Sequence, residues 1–160
     1  MRTVLLRSLA LSTAVAVLTL GSPAAPAQAP APAPAATTGS ERTPSPAGAE
    51  AYIISPADGA RVKAPVVVRF GLKGMGVAPA GVKFDNTGHH HLLVDTDLSE
   101  LSLDAPLPAT DKVLHFGKGQ TETSLNLAPG KHTLEIVFAD SMHMSFAPAL
   151  HSEKITITVK

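Results

Sequence analysis

The chain has 160 residues, no cysteine, seven histidines and a formal charge of zero. The lack of thiols excludes disulfides, thiol catalysis and thiolate metal sites. A near-neutral balance gives no electrostatic basis for binding nucleic acid.

The first segment reads "MRTVLLRSLALSTAVAVLTLGSPAAPAQAP". Arg2 and Arg7 precede an apolar run from Leu9 to Leu20, and small residues follow. This is the order of a secretory signal peptide over residues 1–27, with Ala25-Pro26-Ala27 as an A-x-A cleavage site. The run is shorter than the roughly 20 apolar residues that span a bilayer. The expected location is therefore periplasmic or secreted, with no transmembrane segment once the signal is cleaved. Without Arg2 and Arg7, 11 basic residues face 13 acidic ones, a net of −2.

Residues 28–50 form a Pro/Ala-rich stretch with almost no large apolar side chain. Such a segment buries too little surface to offset the entropy of ordering it, and Ala-Pro alternation favours extended polyproline II. It is expected to be a disordered linker.

Residues 51–160 then show period-two alternation. "PVVVRFGL" sets Val66, Val68, Phe70 and Leu72 on one face and Val67 and Arg69 on the other. "KHTLEIVF" sets His132, Leu134, Ile136 and Phe138 against Thr133, Glu135 and Val137. "KITITVK" sets Ile155, Ile157 and Val159 against two threonines. Further strands are expected at 51–55, 89–95, 113–116 and 123–127, with turns at "PADG", "NTG" and "APG". The pair "TSLNLAPGKHTLEIVF" reads as a hairpin. About seven short strands predict an all-β, immunoglobulin-like antiparallel sandwich.

All seven histidines lie between positions 89 and 151. In "NTGHHHLLVD", alternation puts His89 and His91 on one face with Leu93, and His90 on the other with Leu92 and Val94. Side chains two apart on a strand stand roughly 6.5–7 Å apart at their bases. Two imidazoles placed so can converge on one metal at about 2.0–2.1 Å each. His115 in "LHFGKGQ" and Met142, His143 and Met144 in "ADSMHMSF" are the further donors. A thioether beside imidazoles suits copper better than zinc. The candidate metal ligands are thus His89, His91, His115 and His143, with Met144 as a fifth donor.

His90 is expected to face inward, hydrogen-bonded. His132 should stabilise a turn, and His151 should be exposed. Asp95 and Asp97 are candidate acceptors for an imidazole N–H, with Asp97 also suited to cap the turn into "LSEL". The phosphate-loop pattern is not met in "FGKGQTET", where Gly117 and Gly119 suit a bend. No G-x-S-x-G is present, and the carboxylates are too scattered to argue a glycosidase-like pair. The expected role is a non-enzymatic binding domain whose partner is a metal ion or an envelope protein. The alternative is a structural or protein-interaction module of the cell envelope, its histidines serving packing.

The motifs "SPADGARVKAPVVVRFGLKGMGVAPAG", "NTGHHHLLVD", "LHFGKGQTET", "LAPGKHTLEIVFAD" and "SEKITITV" resemble, in this order, the bacterial domain-of-unknown-function 4399 family of exported proteins. The resemblance covers about residues 55–159. It implies one exported β-rich domain and assigns no activity. Relatives often carry "H-x-P-H" after the "GKHTL" strand, where this chain has "HMSF" with Phe146 in the second histidine's place. There is also a faint likeness to periplasmic copper chaperones of the PCuAC type around His143 and Met144.

Overall fold

The computed structural model describes residues 42–160. The signal-peptide and cleavage-site expectations, and residues 28–41 of the expected linker, lie outside the described residues. Ten strands follow in chain order: β1 (Glu50–Ser55), β2 (Arg61–Val62), β3 (Val66–Lys73), β4 (Gly76–Val77), β5 (Thr87–Val94), β6 (Val113–His115), β7 (Glu122–Leu125), β8 (Gly130–Ala139), β9 (Ser145–His151) and β10 (Ile155–Val159). The only helical turn among the described residues is a 3-10 turn, Leu98–Glu100, after β5. No described helix is long and apolar enough to cross a membrane.

Three strands form one sheet, in the order β1-β3-β7. Seven form the other, along the path β2-β10-β8-β5-β4, with β6 also pairing β5 and β9 also pairing β8. One apolar cluster joins both sheets. Val66, Val68 and Phe70 of β3 meet Leu92 of β5, Leu134, Ile136 and Phe138 of β8, and Ile155, Ile157 and Val159 of β10. That shared interior makes the fold a β-sandwich. Alternation assigned its inward residues correctly, because a strand with one face in a core must repeat every two residues.

Two expectations are corrected. The segments around Leu125 and Leu134 are not a hairpin. β7 pairs with β3, whereas β8 pairs with β10, β5 and β9, so the Pro/Gly turn between them carries the chain from one sheet to the other. Glu135 and Val137, expected on an open face, are both buried. The loop from Thr96 to Lys112 folds over that face. Its Leu107, with Leu98, Leu101 and Leu103 packed alongside, forms a second apolar cluster with Leu93, Val113, Val137 and Ala139. The seven-stranded sheet is therefore covered on both sides where β5 and β8 run together.

Residues before 51 also pack on the domain. Pro44 bridges Ala147, and the Ser45 N–H donates to the Ala147 carbonyl at 3.0 Å. The Arg42 guanidinium donates to the Ser145 carbonyl at 3.1 Å and to the Phe146 carbonyl. These bonds satisfy backbone carbonyls of β9 that the sandwich leaves open, so residues 42–50 are strapped to the domain.

Candidate metal centre

β5 starts at a close approach. A Cβ at Gly88 would lie 2.2 Å from the Ala139 carbonyl oxygen. Only glycine lets the strand come this near to the end of β8. The next three residues are the histidine triple, and all three are fully buried.

His90 points into the sandwich. Its ring centroid lies 5.1 Å from that of Phe70 and 5.0 Å from that of Phe138. The expected hydrogen bond is missing, because the surrounding core is aromatic and apolar. The Gln120 backbone pulls its pKa upward, but neither ring nitrogen has a hydrogen-bond partner. Burial dominates and lowers the pKa from 6.5 to about 4.

His89 and His91 point the other way, and their Nε2 atoms lie 3.2 Å apart. Strand register supplies the third ring. His91 stands directly opposite His115 across the β5–β6 pairing, and residues so paired share a face. The fourth comes from the β8–β9 turn. His89 is opposite Ala139, the last residue of β8, so the turn that follows lies next to His89. There His143 takes a left-handed backbone conformation, φ 66°, which is uncommon for a residue other than glycine. The Leu107 N–H donates to its carbonyl at 2.8 Å. Asp140 holds the rest of the turn, its Oδ1 accepting from the Met142 and Met144 N–H groups at 2.9 and 3.0 Å. The His143 and His115 Nε2 atoms are 3.2 Å apart.

Ligand atoms of His89, His115 and His143 all lie within 4.8 Å of one another. Some point is then within about 2.8 Å of all three (4.8 Å divided by √3). Metal–imidazole bonds of about 2.0–2.1 Å in a tetrahedron put ligand atoms about 3.3 Å apart. The two Nε2 pairs, each at 3.2 Å, match two such edges. His91 joins through His89 and stands farther from His143, with ring centroids 6.0 Å apart.

The buried rings of His89 and His91 stay neutral at ordinary pH. Burial, then the nearby His143 and His115, lower His89 from 6.5 to about 4. Burial, then His89, lower His91 to about 3. Burial and His143 also lower His115. A neutral imidazole keeps a free lone pair for a cation. The Nδ1 atoms of His89 and His91 are buried without partners, so these rings contribute little to stability as packing groups alone.

Residues 68–160 match the family model described as a domain of unknown function (DUF4399). The chain belongs to that family. The matched span contains all four clustered histidines of this DUF4399 domain, together with Gly88 and Met144. No curated protein and no solved structure is significantly similar to the chain.

The other sequence candidates separate cleanly. Met144 is buried and joins neither apolar cluster. Phe146, where the family resemblance suggested a second histidine, lies in the sandwich core against Phe138, ring centroids 6.1 Å apart. Position 146 thus faces away from the four rings. His132 Nδ1–H donates to Asp95 at 2.7 Å and Nε2–H donates to the Ala128 carbonyl at 2.9 Å, which makes His132 a turn residue. Asp97 caps the 3-10 turn, accepting from the Ser99 N–H. His151 is exposed and pairs with buried Glu135 at 3.0 Å.

Residue reading missed two residues that build the site. A Cβ at Gly117 would fall 2.3 Å from His115 Cε1 and 2.4 Å from Nε2, so the glycine makes room for that ring. Asp140 was readable only as one more acidic residue. Its position just before the "SMHM" turn is the signal that could have found it.

Proposed function

We propose that this chain is an exported, non-enzymatic domain that binds a transition metal, copper before zinc, through His89, His91, His115 and His143. The observation that carries the reading is the convergence of four imidazoles from three separate places in the sequence, as two Nε2 pairs each 3.2 Å apart. His89 and His91, buried, neutral and with partnerless Nδ1 atoms, offer nitrogen donors that suit a soft or borderline cation. Copper comes first because imidazole sites bind it more tightly than zinc, and because Met144 adds a buried thioether next to His143. Four protein ligands leave no open coordination position, which suits holding or passing on a metal rather than catalysis. Export rests on the N-terminal sequence pattern.

The alternative, an envelope module with structural histidines, describes His132 well, since both its ring nitrogens are hydrogen-bonded. It accounts poorly for the clustered rings.

Calorimetric titration of the full chain with Cu(I) under anaerobic conditions, Cu(II) and Zn(II) tests the proposal. Tight binding of one equivalent is expected, lost in a His89→Ala/His91→Ala variant. A His115→Ala/His143→Ala variant changes the less buried rings and guards against loss of folding. Equal heats in the parent and both variants would sink the reading.

A further inference from the structure

Two of the four methionines, Met142 and Met144, flank His143. Met144 is buried, but Met142 is 68 % exposed at the tip of the β8–β9 turn. An exposed thioether is of no use to the core. Its backbone is nonetheless held in place, because the Met142 N–H donates to Asp140 Oδ1 at 2.9 Å. Its side chain borders a cavity of about 500 Å³ that Phe84, Asn86 and Asp140 also line.

From Met142 inward the donors pass from exposed to fully buried. Next along the chain is His143, partly exposed, with its Nε2 3.2 Å from that of exposed His115. Beyond them His89 is fully buried, within 4.8 Å by its nearest ligand atoms, and His91 follows at 3.2 Å. The donors therefore run from solvent to interior, and the outermost is the one exposed methionine among the described residues.

A thioether in contact with water discriminates strongly. It carries no charge and is a poor ligand for the hard or borderline hydrated ions Zn(II) and Cu(II), but it binds Cu(I). We infer that Met142 is the entry ligand through which cuprous ion reaches the histidine cluster. This inference rests on the metal-binding reading above and narrows its cargo to Cu(I). The transfer is an exchange of ligands. The incoming ion leaves its carrier for the Met142 sulfur, passes to His143 and His115, and keeps its oxidation state throughout.

The test is stopped-flow transfer of Cu(I) from its bicinchoninate complex to the full chain, alongside Zn(II) transfer from a chromophoric chelator. Met142→Leu should slow Cu(I) uptake by about tenfold, the order seen when one residue supporting a metal site is lost. It should leave the Cu(I) affinity at equilibrium and the Zn(II) rate unchanged. Met142→Ser, which removes both sulfur and apolar bulk, should match Met142→Leu. Unchanged Cu(I) uptake in Met142→Leu overturns the inference, and so does equal slowing of both metals. A parent chain that takes Zn(II) but no Cu(I) overturns the entry role and leaves the metal site standing. A parent that takes neither overturns the metal site itself.

Discussion

The Nε2 atoms of His115 and His143 lie 3.2 Å apart although 28 residues separate them in the chain. One ring sits at the end of β6 and the other in the β8–β9 turn. They meet because both elements flank β5, β6 by direct pairing and β8 on the opposite edge. His89 and His91 of β5 lie buried between them.

Gly117 should be indispensable to this meeting. A methyl group there would overlap His115 Cε1 and Nε2 and come within 3.1 Å of Ala80 Cβ. The ring is the movable partner, so Gly117→Ala should swing His115 out of the cluster and leave the fold intact. Metal affinity is expected to fall by about 10–100-fold, with thermal stability within about 1 kcal/mol of the parent. Calorimetry and a thermal melt of the same variant separate the two effects. A large loss of stability with unchanged affinity would contradict this account.

His90 should behave oppositely to its neighbours. It is fully buried among Phe70, Phe138 and the aliphatic core, with both nitrogens unpartnered. An unsatisfied buried polar group costs about 1–3 kcal/mol. His90→Leu, of similar volume, should raise unfolding stability by that order in urea denaturation and leave metal binding unchanged. A destabilised variant would mean that the ring has a partner.

Much of this was legible in the sequence. Period-two alternation divided the histidine triple correctly, since neighbours on a strand must point to opposite faces. The four histidines singled out stand together in the fold, whereas Met144, named with them as a fifth donor, is buried. What alternation cannot supply is register. His115 faces His91 only because the 18-residue loop from Asp95 to Lys112 returns the chain at that particular offset. The same loop buries Glu135 and Val137, which a local pattern assigns to an open face. The transfer of the chain between sheets after Leu125 was hidden because a Pro/Gly turn serves a hairpin and a crossover equally well.

The apo protein should lose stability in acid. Unfolded imidazoles take up protons near pH 6.5, whereas folded His89 and His90 resist until about pH 4 and His91 until about pH 3. Over that window the unfolded state binds more protons, so stability falls as pH falls. With about 1.4 kcal/mol per pH unit for each ring, the drop from pH 7 to pH 5 should be about 3–6 kcal/mol. His132 works against it. Its pKa is raised by the Asp95 carboxylate and the Ala128 carbonyl, so its contribution is present in acid and fades as pH rises through the folded value. Urea unfolding across this range should give a positive slope that His90→Leu reduces by about a third, as one ring of three is removed. A flat profile would show that the triple is solvated.

The strap formed by residues 42–49 should stabilise both the fold and the site. Arg42 donates to two β9 carbonyls, and the Thr43 hydroxyl donates to Asp140 Oδ2 at 3.0 Å. Asp140 in turn fixes the turn that carries His143. A chain beginning at residue 50 should therefore unfold at lower urea than one beginning at residue 42, by about 1–3 kcal/mol for the several bonds lost.

Asp140 itself is the sharper probe. Its Oδ1 organises two backbone N–H groups on either side of His143, whose left-handed backbone needs that support. Asp140→Ala removes the acceptor, so the turn should relax and metal affinity should fall by about tenfold or more. Asp140→Asn keeps a carbonyl oxygen in the same place and should retain most of the affinity. The rescue separates positioning from charge, because the carboxylate's charge also favours a cation nearby. If Asn performs as poorly as Ala, Asp140 acts through its charge on the cluster rather than through the turn it holds. Calorimetric titration of both variants with the metal that the parent binds most tightly distinguishes the two cases.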